Sequence, residues 1–508
     1  VKSKSKYALN NILAQIVVQF AVFAAGICVP RFIILTYGSE INGISSTVNQ
    51  LVSYASLLEA GLGMASIQAL YAPLNNNNLV KINGILSATK NYYKRISMWF
   101  TTVMISLAII YPFFAKGETD KVTIAALLIT ISSTAILEFL FHSKYRVLLT
   151  ADQKLYIISY TRAIALVLQT IIKIILIIQN MNVILVFAVS SLVLLLRIFY
   201  IKWYVQKHYK DLDFNGAMDI SALSQRSALL VHQIAGLVVN NTDTFILSIF
   251  VSNGLKLASV YVVYSMVFKN LYSLIMGAFS NGVVASFGHY LHERNLKEVN
   301  KIFRTYELTY LIIQSAIWGT ASVMILPFIN LYTKGVRDIE YTSVTIATLF
   351  ICVYVLNSSR IPCVMLINAV GHFQQTKNRA VIEAVINLIM MLLLVNKYHI
   401  VGILIAGLLS YAYSVPYIIV YTNKKILEVS SLKSIKRIFQ SWLSILLTAS
   451  CMTFLIKLSI NTWSMWLLSG ILSFIISTII SFMVFLLLDF TDTKSIIYNF
   501  KKKIFRIL

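Results

Sequence analysis

The stretch from Leu155 to Ile178, LYIISYTRAIALVLQTIIKIILII, contains no acid and two bases, Arg162 and Lys173. As a helix it is long enough to cross a bilayer. Cutting the rest of the chain at its charges gives about fourteen stretches of this kind. They lie near residues 12–35, 44–71, 92–114, 121–141, 155–178, 181–203, 227–251, 257–286, 304–331, 341–366, 378–396, 400–422, 438–459 and 463–488. The expected fold is an all-α polytopic membrane protein of about fourteen transmembrane helices, with no room for a soluble domain.

Basic residues orient the chain, because Lys and Arg collect in loops that stay in the cytoplasm. Counting from a cytoplasmic N-terminus, 30 of the 43 Lys and Arg fall in inside connections and 7 in outside ones. The remaining six, Arg31, Arg162, Lys173, Arg197, Lys269 and Arg360, fall within apolar segments. Both termini are expected in the cytoplasm. The same asymmetry explains most of the net charge of +24, so anionic membrane lipids, rather than nucleic acid, are the partner expected for the basic loops. Cys28, Cys352, Cys363 and Cys451 sit in apolar segments without a CxxC pair or a nearby His at ligand spacing, which argues against a metal site or a disulfide. The first apolar stretch lacks a cleavage signature and reads as a retained span.

A weak internal repeat appears at an offset of about 218 residues, by comparison of spans in the manner of parallel-repeat transporters. Ala14-Gln15-Ile16 falls on His232-Gln233-Ile234, Ala151 falls on Ala369, and the segment from Asn78 to Asn83 matches that from Asn295 to Asn300 one residue off register. The expected organisation is an N-lobe of six helices at 1–210, a C-lobe of six at 211–425, and two further helices with a basic cytoplasmic tail at 426–508. Six is even, so the lobes are parallel repeats, an arrangement that places a substrate path between them. Pro30, Pro327, Pro362 and Pro416 lie in or near spans, and Pro30, four residues after Gly26, is the candidate hinge.

Charges within hydrocarbon are functional candidates, because burial is costly unless they face a cavity or a partner. Lys269 lies near the bilayer middle, about 18 Å from the outer end of its helix, facing either a cavity or an internal partner such as Glu59 or Asp243. Arg162, deep enough to point inward or to snorkel, joins Arg31, Lys173 and Arg360 as a base for phosphate oxygens. Snorkelling to the inner face is the simpler expectation for Arg197 and Arg360. Asp243, flanked by Asn240 and Asn241, and Glu59 are candidates for coupling to Na⁺ or H⁺. Tyr54, Tyr261, Tyr264 and Tyr272 either pack or stack on sugar rings. No cofactor is expected. Asp211-Leu212-Asp213 sits in a loop too short for a transferase domain, no GxxxxGK phosphate loop is present, and the histidines form no nucleophilic arrangement.

Several runs resemble bacterial polysaccharide exporters of the multidrug/oligosaccharidyl-lipid/polysaccharide (MOP) superfamily. They are Arg31-Phe32-Ile33-Ile34 through Ile41-Asn42-Gly43, Leu57 to Gly63, Ala69-Leu70-Tyr71, Lys144-Tyr145-Arg146 with Leu148 to Gln153, and Asn241-Thr242-Asp243. The resemblance implies a MATE-like fold and a Wzx-type flippase in the bacterial cytoplasmic membrane. Such a flippase moves undecaprenyl-diphosphate-linked oligosaccharide to the outer leaflet for O-antigen, capsule or exopolysaccharide, alongside a polysaccharide polymerase and glycosyltransferases. In the related lipid II flippases a cationic central cavity carries arginines on the first, second and eighth helices. Here Arg31 is on the first and Lys269 on the eighth, while the second offers Glu59, which argues against lipid II as the cargo. Two other readings compete: a cation-coupled multidrug exporter centred on Glu59 and Asp243, and a membrane glycan polymerase or ligase. The second lacks the large outside loop such an enzyme carries.

Overall fold

The computed structural model describes residues 2–214, 216, 218–219, 227–292, 296–455 and 460–494. Arg226, Arg294, Lys457 and the basic tail beyond Lys494 lie outside the described residues. The first span is α1 (Lys2–Tyr37). The second is broken at Tyr54 into α2 (Ser39–Ser53) and α3 (Ala55–Asn75), and α4 (Leu79–Phe114) follows. The fourth combines α5 (Lys121–Leu137), a π turn (Glu138–His142) and α6 (Ser143–Ala151). After α7 (Leu155–Ile178), α8 (Val183–Ser191) and α9 (Val193–His208) meet at Leu192. Next, α10 (Ser227–Asn241) and α11 (Asp243–Phe250) meet at Thr242.

The chain continues through α12 (Gly254–His292) and α13 (Leu296–Tyr332), and then through α14 (Val344–Ser359) and α15 (Ile361–Val370), broken at Arg360. In α16 (Phe373–Tyr421), His399 at φ 51°, ψ −124° divides the element into two helices. A second π turn (Thr422–Ile426), α17 (Leu432–Leu455) and α18 (Trp463–Leu488) complete the described chain. Joined across the breaks at Tyr54, Leu192, Thr242 and Arg360 and across the first π turn, and parted at His399, the described helices follow the fourteen expected spans in order. Among the described residues, ten helical stretches, with α16 taken as one, are long and apolar enough to cross a membrane. Among the described residues there is no strand. This is an all-α, multi-pass membrane protein.

Polar caps set several helix starts, each side chain accepting a hydrogen bond from an otherwise unpaired N–H of the first turn. Asn78 caps α4 through Lys81 N, Asp120 caps α5 through Thr123 N, and Asn182 caps α8 through Ile184 N. Thr462 caps α18 through Met465 N. Each sits where the sequence leaves an apolar run for a short polar connection.

By contacts the chain forms two units, one running to Val262 and including Val336–Ile339, the other taking Val263–Gly335 and the chain from Glu340 onward. In the first, α1 lies along α7, α4 packs on α5, and α5 packs on α8. Its centre is aliphatic, with Leu86, Leu127, Leu128, Leu148 and Val186 fully buried. In the second, α13 lies against α17 and α18, and α14 against α16.

Between membrane helices, close van der Waals packing replaces exclusion of water as the source of affinity, so small residues collect at contacts. Gly319 on α13 faces Ser477 and Thr448 closely enough that a Cβ there would overlap the Ser477 hydroxyl. At Gly43 on α2 a Cβ would overlap the Leu255 carbonyl. The Ile41-Asn42-Gly43 run thus marks a place where α2 meets the start of α12.

Candidate functional site

Helical periodicity puts Arg162, Ala165, Leu166, Gln169 and Lys173 on one face of α7. That face is one wall of a cavity of about 260 Å³ in the first unit. Thr130, Ile131 and Thr134 of α5 and Asn49 of α2 form further parts of the wall, and Phe187, Ser191, Val193, Leu194 and Arg197 come from α8 and α9. Glu138 enters as the first residue of the π turn, whose extra residue breaks the α-helical register between α5 and α6. On the opposite side, the α8–α9 break at Leu192 starts a new helix that carries Val193, Leu194 and Arg197.

Arg197 is buried, and its Nη1 donates to Glu138 Oε1 at 2.5 Å. Its Nε is buried with no hydrogen-bond partner. Lys173 Nζ lies 4.5 Å from the centre of the Phe187 ring, a cation–π contact that desolvation strengthens. Thr130 and Thr134 donate to the carbonyls of Ala126 and Ile131, which leaves their hydroxyl oxygens as acceptors. Of the residues lining the cavity, three are cations and one is a carboxylate, a balance of +2. A mostly cationic space between membrane-spanning helices lowers the energy of an anion. The forked guanidinium groups supply geometry for phosphate or carboxylate oxygens, and the lysine supplies a point charge.

The structure therefore brings two of the expected bases, Arg162 and Lys173, into one cavity with Arg197. For Arg197 an inward ion pair replaces the expected snorkelling. The pairing of Glu138 with Arg197 depends on the π turn and the break at Leu192, which apolar periodicity does not reveal.

The other candidates lie elsewhere. Arg31 is half-buried near the end of α1, and Lys269 is half-buried on α12 in the second unit. Glu59 sits on α3, and its side chain is outside what the structure describes. Arg360, at the α14–α15 break in the second unit, forms an ion pair with Glu383 at 2.8 Å and donates to Ser414 and to Asn357 Oδ1. Arg379 bonds the same carboxylate and Ser414. Arg360 does not snorkel, and Arg379, expected in a cytoplasmic loop, is buried in α16. The i,i+4 spacing of Arg379 and Glu383 was the sequence signal for this network.

Asp243 opens α11, where its charge meets the positive end of the helix. It is buried, and Tyr261 Oη donates to its Oδ2 at 2.5 Å. Nearby, Thr242 shares a 2.5 Å hydrogen bond with Tyr54, and Thr244 Oγ1 donates to Gln50 Oε1 at 2.7 Å. Asn240 is exposed and donates to the Gly236 carbonyl, while Asn241, half-buried, ends α10. Of the tyrosines considered for sugar stacking, Tyr54 and Tyr261 make hydrogen bonds and Tyr264 and Tyr272 pack on other rings. Tyr261 serves Asp243, Tyr264 is buried against Phe350 and donates to the Tyr341 carbonyl, and Tyr272 meets the edge of Tyr354.

The fold is shared with solved transporters. A structure described as the lipid II flippase MurJ in an inward closed conformation matches with a TM-score of 0.63 at 16% identity, over 93% of this chain and 97% of that one. An inward-facing multidrug resistance MATE family transporter of the MOP superfamily matches with a TM-score of 0.57 at 13% identity, over 84% and 95%. A MATE structure in complex with MaL6 matches with 0.51 at 11% identity, over 84% and 97%. No protein-family model matches the sequence, and neither does any curated protein. At these identities the likeness establishes the fold, that of MOP-superfamily transporters.

Proposed function

We propose that the protein is a Wzx-type flippase. It carries an undecaprenyl-diphosphate-linked oligosaccharide from the cytoplasmic to the outer leaflet of a bacterial cytoplasmic membrane, feeding O-antigen, capsule or exopolysaccharide assembly by a polymerase downstream of glycosyltransferases. The observation that carries this reading is the cationic cavity of Arg162, Lys173 and Arg197. Glu138 holds the Arg197 fork in place. The two six-helix lobes give alternating access, and Lys269 and Arg31 are further candidate bases for the cargo. Carrying negative charge out of a negative interior gains about 2.3 kcal/mol per charge per 100 mV. Asp243 couples the cycle to Na⁺ or H⁺, with Tyr261 positioning its carboxylate.

The test is translocation of a labelled lipid-linked oligosaccharide in proteoliposomes. Each of Arg162→Ala and Lys173→Ala removes a charge-assisted contact, of about 1.5–3 kcal/mol, so each lowers apparent affinity roughly 10- to 100-fold. Wild-type transport in both variants refutes the reading. The buried Asp243 keeps cation-coupled multidrug export as a second reading, and it is separated by whether organic cations or anionic lipids compete.

A further inference from the structure

Beside the cationic cavity lies a second space of about 530 Å³, between α7 and α9 of the same unit. Its walls are two stripes at helical spacing: Tyr160, Ile164 and Leu168 on α7, and Val193, Leu196 and Tyr200 on α9. The two spaces are neighbours, with Ala165, Val193 and Arg197 in the walls of both. Apart from Arg197, no charged residue lines the second space. The groove is open, with Ile164 59%, Leu168 43% and Leu196 65% exposed.

Charge complementarity and this adjacency define the occupant. A soluble anion satisfies the cavity and leaves the groove empty. A neutral lipid fills the groove and leaves the cations without a counter-charge. A single-chain lipid with an anionic phosphate head satisfies both, with its head at Arg162, Lys173 and Arg197. A two-chain phospholipid leaves its second chain outside. The α7 stripe begins at Tyr156, and from there to Leu168 it rises about 18 Å, long enough to hold the head-proximal part of a polyprenyl chain. We infer that the α7–α9 groove seats the polyprenyl chain of the diphosphate lipid, so that the chain leaves the head-group site within the first unit. This rests on the transport reading above and adds where the hydrocarbon goes.

The experiment uses the full chain in vesicles with two photoprobes carrying a diazirine near the head of the same polyprenyl chain, one a diphosphate and one the neutral alcohol. Adducts from the diphosphate probe are expected to concentrate on residues 156–168 and 193–200, at least fivefold above those from the alcohol. They fall at least fivefold in a Leu168→Trp, Leu196→Trp double variant, which fills the groove from two exposed positions and leaves the cavity wall intact. Equal labelling by both probes, or labelling unmoved by the tryptophans, overturns the proposal. Binding of inorganic pyrophosphate, followed by thermal shift, reads the cavity alone. A wild-type protein that binds pyrophosphate but gives unfocused adducts refutes the groove and keeps the cavity. One that neither binds pyrophosphate nor shows diphosphate-dependent adducts refutes both.

Discussion

Replacing Glu138 with glutamine changes the sign test of the cavity, because Glu138 is the one acid among its lining residues. Glu138→Gln keeps a carbonyl oxygen to accept from Arg197 and removes one negative charge, raising the balance of the wall from +2 to +3. A sphere of 260 Å³ is about 8 Å across, so a bound phosphate lies within about that distance of the carboxylate. At an effective dielectric of ~20, repulsion between unit charges at that distance is about 2 kcal/mol. Glu138 is 42% exposed at its side chain, and screening by water and salt reduces this to about 1 kcal/mol, a fivefold gain in anion affinity. The assay is pyrophosphate and lipid-diphosphate binding to purified protein, with thermal unfolding as a control for folding. A cavity for organic cations predicts the opposite sign, a fivefold loss of cation affinity. Unchanged or weaker anion binding by a folded Glu138→Gln protein refutes the phosphate assignment.

Removing Glu383 leaves Arg360 and Arg379 as like charges in a buried site, so Glu383→Ala is expected to destabilise the second unit by about 3–5 kcal/mol, read as a large fall in Tm; a fall worth under about 1 kcal/mol contradicts the buried network. Asp243→Asn keeps an acceptor for Tyr261, so the protein stays folded while the dependence of transport on a Na⁺ or H⁺ gradient disappears; persistence of that dependence removes Asp243 from coupling. Lys269→Ala is expected to abolish transport while remaining inserted, since deleting an intramembrane charge lowers the insertion cost. A destabilised Lys269→Ala protein rescued by Glu59→Gln instead assigns the lysine to an internal pair. In a background without native cysteines, Asn77→Cys and Ser430→Cys should resist an impermeant thiol reagent in intact cells and Gln179→Cys should react, all three positions being exposed; labelling at Asn77 reverses the orientation.

Helix order was legible because each span is a long apolar run and each cap a short polar residue, as at Asp120 and Asn182. The interruptions were not. Tyr54, Leu192 and Arg360 all keep right-handed helical backbone angles at their breaks, and no glycine or proline announces the first two. Those breaks decide which polar groups meet. Arg162 and Lys173 could be placed on one face of α7 by spacing, but Arg197 joins them only because a second helix restarts beside them. The same blindness affected Arg437. It belongs by sequence to a basic cytoplasmic run, yet its guanidinium is fully buried, bonded to Glu307, Asp489 and Asp492. Counting positive charges in loops treats every base as solvated. Acids far apart in the chain decide which are not, and a single sequence does not pair them.

Under the proposed function, the wall of the cavity combines affinity with release. Three cations and no acid would hold a diphosphate tightly, and a flippase that binds its cargo tightly on both sides of the membrane does not turn over. Glu138 offsets one of the three cations and, through its 2.5 Å hydrogen bond, holds the Arg197 fork in one orientation before cargo arrives. An arginine held in this way gives up less conformational freedom on binding than a loose one, so the contact keeps its specificity while the added negative charge weakens the total attraction. Lys173, placed against Phe187, is likewise held without a carboxylate. On this argument Glu138→Gln binds more tightly and transports more slowly, whereas loss of Arg162 or Lys173 weakens binding. A variant that gained both affinity and rate would show that release is not the slow step.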